Sequence, residues 1–349
     1  MNVINQPSIL EHLTRCGKED FPNGSDYAVR FNAIDAYMNQ EIHPVVTVGA
    51  SFVDGGYLTD HGPNHIRTVI SRLTSLLYSS PGYSSSVQFP SGYELYILLV
   101  AIHVHDVGNT DGRDGHELAA ADVMERLGPL FGPDEVEKRL IFRIAQAHSG
   151  WRGTSQDKIS FLQKIDYVLG KKIQTRFLAA LLRFADELAD DRSRTARALL
   201  DSVKLPKSSE VYHRYAYALH SVVISEDSVR LEFEMTNADA TRTFGKGKDE
   251  VFLLDEIILR MIKMHRERVY CMRFLRPLIS IDRIDVCINI YGPGYNDPLA
   301  TIDFRMEEAG YPISPSRGIL DLCPQLASHL CGSPLTGESL KNYLDGKGQ

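Results

Sequence analysis

The sequence predicts a mainly α protein, a helical bundle followed by a smaller α+β domain. Three observations carry this. Apolar residues recur at helical spacing through most of residues 1–204. The run 93–104 is apolar nearly all round, which marks a helix buried on every side. Near residue 210 the period switches to alternation, the signature of half-buried strands. The expected domains are therefore 1–204, all-helical; 205–310, α+β; and 311–349, an irregular tail rich in Pro, Ser and Gly.

Residues 1–57 read as mixed helix and loop, with an amphipathic pattern from Tyr27 to Met38. Thr59 and Asp60 are cap residues for a helix through Tyr78, with Ile66, Val69, Ile70, Leu73, Leu76 and Leu77 inward. A Gly/Ser/Pro-rich loop spans 79–92, and helix 93–105 follows. Residues 108–115 hold three glycines and form a turn-rich loop. Helix 116–127 is expected to stop at Gly128-Pro129. Pro133-Asp134 opens another helix, which carries Ile141, Ile144, Ala145 and His148. A helix over 171–190 turns Phe177, Leu178, Leu181, Leu182 and Ala185 inward.

Beyond the composition shift, residues 205–210 read as a linker. Residues 215–236 alternate, with Glu226-Asp227-Ser228 as a hairpin turn. Residues 245–248 read as a loop and 249–275 as one amphipathic helix stopped before Pro277. Arg283–Tyr291 is a third strand and Leu299–Met306 a fourth.

Composition excludes several classes. The chain has 349 residues, 43% apolar and 24% charged, enough for two cores without disulfides. A net charge of -7 argues against a general nucleic-acid or membrane-surface binder. Five cysteines without a CxxC pair fit reduced thiols. The first residues lack a basic start and an apolar core, so a cytoplasmic location is expected. No apolar run reaches the roughly 18 residues of a membrane span.

The chemistry centres on His105-Asp106, which end the apolar run. Imidazole beside carboxylate suits Mn, Fe, Co, Ni or Zn, with Mg possible. His65, His116, His148 and Asp186 flank the pair at helical positions. Asp186 follows Leu178 and Leu182 on the inward face, and a buried carboxylate is costly unless paired or metal-bound. His61 shares a face with His65, but the spacing to Val69 favours His65. His103 points elsewhere on its helix and reads as an ordinary core or surface histidine.

The ordered elements His-Ile-Arg-Thr-Val (65–69), His-Asp-Val-Gly (105–108) and Phe-Ala-Asp-Glu-Leu-Ala-Asp (184–190) resemble the HD-domain metal-dependent phosphohydrolase superfamily. The resemblance covers roughly residues 55–195 and implies an HD-type helical bundle. It implies that His65, His105, Asp106 and Asp186 bind a divalent metal. His116-Glu117, ten residues past the pair, resembles the dNTP triphosphohydrolase branch, where a Gly-rich loop leads to a catalytic histidine. It also resembles branches whose later histidines hold a second metal, as in cyclic-dinucleotide phosphodiesterases and dinucleoside polyphosphate hydrolases. The chain departs from the cyclic-dinucleotide branch, having no His-His pair near 148 and no Gly-Tyr-Pro after it.

The expected reaction is hydrolysis of a nucleotide at phosphorus, with one or two metals per chain. His116 and Glu117 are the acid/base candidates, with Asp106 at the reacting centre, and His116 and His148 are ligands if a second metal binds. Arg113, Arg152 and Lys158 are candidates for phosphate binding, and Trp151 for stacking on a base. A di-iron oxygenase and a nucleotide-sensing module are the competing readings. A homo-oligomer is expected, with 205–310 as its oligomerisation or regulatory unit.

Overall fold

The computed structural model describes residues 8–44, 46, 62–79, 90–107, 123, 125, 127–132, 134–148, 155–190, 192, 206–276, 278–294, 297–308, 318–329 and 332–347. The chain divides into two compact units. The first comprises Met1–Asp54, Asp60–Ala189 and Cys271–Ser280; the second comprises Gly55–Thr59, Asp190–Tyr270 and Ile281–Gln349. The first is helical and the second α+β. The expected boundary at 204/205 thus moves to 189/190, and the tail belongs with the α+β unit rather than standing alone.

The helical unit contains α1 (Ile9–Arg15), α2 (Tyr27–Tyr37), α3 (Pro63–Tyr78), α4 (Gly92–Val104), α5 (Gly128–Phe131), α6 (Glu135–Gln146) and α7 (Thr175–Glu187). All thirteen residues of α4 are buried. It packs against α1, α2, α3, α6 and α7, which is why its sequence carries no polar face. Its start is fixed by a reciprocal cap: Glu94 N–H donates to Ser91 Oγ and Ser91 N–H to the Glu94 carboxylate. Every inward residue expected of α3 is buried. α3 begins at Pro63, whose missing N–H costs nothing in a first turn. The expected caps Thr59 and Asp60 lie outside the described residues.

The helical residues Val123 and Glu125 give way to a turn at Leu127, where a helix was expected to stop, and Gly128-Pro129 then opens the one-turn α5. Two expectations in this unit are corrected. His148 lies past the end of α6, whose C-cap is Ala147. Residues 171–173 are not helical: Lys171–Ile173 pairs antiparallel with Asp166–Val168 as β2 and β1. Leu169 and Gly170 connect them at φ 49° and 78°, the two positive values of a tight hairpin turn. The helix therefore starts at Thr175, and its inward set is buried as expected.

The α+β unit begins with α8 (Glu210–Ala218), where a linker and the first alternating residues were expected. β3 (Leu219–Ile224) and β4 (Ser228–Thr236) then form the expected hairpin. α9 (Asn237–Ala240) leads to β5 (Thr243–Lys246) and β6 (Asp249–Phe252), a hairpin in place of the expected loop at 245–248. Its Gly245 is required, because a Cβ there would collide with the Lys207 carbonyl. α10 (Leu253–Leu275) follows, then β7 (Arg283–Tyr291) and β8 (Pro298–Glu307). The sheet order is β3-β4-β7-β8. β4 and β7 run parallel, in register from Ser228↔Arg283 to Thr236↔Tyr291. A parallel pair needs a long crossover, and the segment containing α10 supplies it. The tail is more regular than expected: it holds α11 (Ile319–Leu322) and α12 (Gly337–Lys347). No helix among the described residues is long and apolar enough to cross a membrane.

Candidate metal centre

Three helix ends meet at the cluster. His65 is in the first turn of α3, His105 caps the end of α4 with Asp106 next, and Asp186 is in the last turn of α7. One donor atom from each of these four lies within 4.8 Å of the others. His65 Nε2 is 3.1 Å from Asp186 Oδ1 and 3.7 Å from Asp106 Oδ2. His105 Nε2 is 3.3 Å from Asp106 Oδ2 and 3.5 Å from Asp186 Oδ1. Donors about 2–2.2 Å from a common ion stand roughly 3–3.5 Å apart at adjacent positions. Three of these four separations fall in that range, and the fourth, His65 to Asp106, is 0.2 Å longer.

The rings are fixed from behind. His105 Nδ1 donates to the Ile102 carbonyl, in the last turn of α4, at 2.6 Å. The bond selects the tautomer whose Nε2 lone pair faces the carboxylates. That Nε2 is buried and makes no hydrogen bond among the described residues. His148 repeats the device at the end of α6: Nδ1 donates to the Ala145 carbonyl at 2.6 Å. Its Nε2 stands 3.4 Å from Asp106 Oδ1, while Oδ2 of the same carboxylate faces His65 and His105. The His105 and His148 rings meet edge to face, with centroids 4.8 Å apart.

Burial disfavours a charged His105 ring, but the Asp106 and Asp186 carboxylates outweigh it and raise its pKa well above the imidazole range. Burial would likewise raise Asp186, yet His105 and His65 hold it well below the usual carboxylate range. Two carboxylates thus create a field that stabilises positive charge, and a divalent cation would displace the protons. The side chains of Asp106 and Asp186 are 12% and 24% exposed, against 1% or less for His65 and His105, so solvent reaches the cluster from the carboxylate side.

The expected ligands His65, His105, Asp106 and Asp186 come together, and His148 stands beside them. Lys158 donates to the Gln146 carbonyl at 3.3 Å. Arg113, His116, Glu117, Trp151 and Arg152 lie outside the described residues, as does His61. His103, expected to be ordinary, is buried, and so is His43, which the sequence reading did not single out. His43 Nε2 is 3.0 Å from His103 Nδ1, and His103 Nε2 is 3.2 Å from Asp35 Oδ1. The only sequence signal for this second set is polarity at buried helical positions.

A family model described as HD-CE matches residues 55–264, more than half of the 349-residue chain. A comparison with curated proteins finds no match. The matched span contains all four clustered donors. The chain belongs to the HD-CE family, and the domain that holds its His/Asp cluster is of the HD type.

Proposed function

We propose that this protein is a metal-dependent phosphohydrolase acting on a nucleotide, with a deoxynucleoside triphosphate or monophosphate as the favoured substrate. The observation that supports it most is the cluster itself: two imidazoles and two carboxylates converge, with imidazole-to-carboxylate separations of 3.1–3.7 Å. A divalent cation held there lowers the pKa of a coordinated water and neutralises charge on phosphate oxygens. His65, His105, Asp106 and Asp186 are the ligands. Asp106 presents its second oxygen toward His148, so one carboxylate serves the cation and orients an imidazole.

His148 then acts on the side of Asp106 away from the other ligands, as an acid/base group or as a ligand of a second ion. His116 and Glu117 are proposed to complete the acid/base machinery. Arg113 and Arg152 neutralise phosphate charge, and Trp151 stacks on the base. The α+β unit is proposed to serve oligomerisation or regulation.

The test is a hydrolysis screen of the full chain with Mn, Mg, Co, Ni, Fe and Zn. The panel holds deoxynucleoside triphosphates and monophosphates, cyclic dinucleotides and dinucleoside polyphosphates. Phosphate or tripolyphosphate release that requires metal and vanishes on chelation supports the reading. Preferential opening of a cyclic dinucleotide to the linear form, or cleavage of a dinucleoside polyphosphate to two mononucleotides, would move the substrate class. No metal-dependent release from any of them would overturn the proposal.

A further inference from the structure

We infer that Lys158 is a positioning residue for His148, acting through the end of α6. The inference rests on the metal-site reading above for its importance, but not for its geometry. Helix ends leave their last carbonyls without intrahelical partners. At the end of α6, Ala145 accepts from the His148 ring and Gln146 accepts from the Lys158 ammonium at 3.3 Å. A cation at a helix C-terminus is favoured by both hydrogen bonding and the helix dipole.

Lys158 itself is held on a fixed strap. Arg183 Nη1 donates to the Gln156 carbonyl at 3.3 Å. Arg176 donates to the Ser160 and Leu162 carbonyls, both at 2.8 Å. Within the strap, Ser160 N–H donates to Asp157 Oδ1 at 3.1 Å and Asp157 N–H to Ser155 Oγ at 3.0 Å. Arg176 and Arg183 both belong to α7, the helix that carries Asp186. The chain of bonds therefore runs from the Asp186 helix, through residues 156–162, to the carbonyl next to the one that orients His148. The effect is to fix His148, which faces Asp106, relative to the helix that carries Asp186. A lysine that only gathered phosphate would need no such anchorage to a helix end.

The test uses the full chain, loaded with zinc and labelled with ¹⁵N-histidine. The His148 ring signal is assigned by its loss in His148→Gln. Lys158→Met keeps the aliphatic stem and removes the ammonium. It is expected to weaken protection of the His148 Nδ1 proton from exchange, while Lys158→Arg retains it. Titration with inorganic phosphate should give the same affinity in Lys158→Met as in wild type, within about twofold. Where a substrate is turned over, kcat should fall by about 10–100-fold with KM unchanged, the usual cost of removing an outer-shell partner.

A His148 ring signal unchanged in Lys158→Met overturns the inference. So does a phosphate affinity weakened about tenfold, which would make Lys158 a substrate ligand. If Lys158→Met does not fold, Lys158→Gln is read in the same way. A wild-type protein that hydrolyses nothing defeats the proposed function and leaves the ring measurement to decide this one.

Discussion

His103 and His105 stand two residues apart at the end of α4, yet they belong to unlike environments. On one side His105 joins His65, Asp106 and Asp186, with donor atoms crowded at 3.1–3.7 Å. Its Nδ1 is occupied by a backbone carbonyl and its Nε2 faces carboxylate oxygen. On the other side His103 bridges His43 and Asp35, with one ring nitrogen facing each. The His43 and His103 rings stack, with centroids 5.3 Å apart. In the second set each imidazole faces another imidazole or a single carboxylate, whereas in the first His105 gives its Nδ1 to the backbone and His65 and His105 both turn Nε2 toward the same two carboxylates. Burial and residue type are shared; what separates the candidate metal centre from a structural network is that two imidazoles and two carboxylates converge in the one and a single carboxylate meets two imidazoles in the other.

That contrast is broken most directly at the ligands. His105→Ala, Asp106→Ala or Asp186→Ala should abolish metal-dependent hydrolysis and remove bound metal, a loss larger than the roughly 10–100-fold typical of outer-shell changes. Elemental analysis alongside circular dichroism checks both halves. Full metal content in all three variants would place the ion elsewhere. Each variant is expected to keep its helical spectrum, because the apolar faces of α3, α4 and α7 are untouched.

His148 sharpens the comparison. If it is an acid/base group, His148→Ala should lower turnover by roughly 10²–10⁴-fold and leave metal content unchanged. If it holds a second ion, the same change should take the stoichiometry from two to one, and His116→Ala should do likewise. Because Asp106 divides its two oxygens between His148 and the other histidines, the two-ion outcome is favoured. Wild-type metal and activity in both variants would show two ordinary histidines.

How much of this was legible in the sequence follows from what each feature depends on. The central helix was readable because burial on all sides leaves a local mark, an apolar run from Leu95 to Ile102. Asp186 was readable because Leu178 and Leu182 give its helical phase. The hairpin at 166–173 was not, since its turn places Leu169 at positive φ, a choice only the surrounding structure can enforce. The parallel β4/β7 pairing was not, because strand order is a non-local property. The His43–His103–Asp35 set escaped for the same reason: His43 and His103 are 60 residues apart, and neither sits in a motif. Gly245 marks a similar limit, being needed only where β5 passes the Lys207 carbonyl.

The His43–His103–Asp35 set should reveal itself in acid. Burial, helped by the charges of His103 and His105, pushes His43 down to about 3. In the unfolded chain it titrates near 6.5. Between those values the unfolded state binds the proton and the folded state does not, so stability falls as pH falls. The contribution is fully present above about pH 6.5 and is lost progressively toward pH 3, with a total of order a few kcal/mol. His265, pushed down to about 4 chiefly by burial, adds to the same slope from the α+β unit. Urea unfolding at several pH values from 4.5 to 7.5 should show this loss, and His43→Gln should flatten it. An equal slope in the variant would assign the acid sensitivity elsewhere.

The smallest effect is the one that tests the separation of the two sets. His103→Gln removes the ring that lies between His43 and Asp35 and leaves the α4 backbone unchanged. Glutamine presents its amide oxygen and NH2 on a flexible stem instead of two nitrogens on a rigid ring, so one of the two partners is expected to lose its bond. A buried group left without its bond costs about 1–3 kcal/mol, so the urea midpoint should drop by a corresponding amount at neutral pH. Bound metal should stay at the wild-type level, since His105 keeps its bond to the Ile102 carbonyl through its own side chain. If His103→Gln instead loses metal as fully as His105→Ala, the two sets act as one. The Asp35–His103–His43 bonds would then be what holds the end of α4 in place for its ligands, and the contrast between a metal centre and a structural network would collapse into a single extended site.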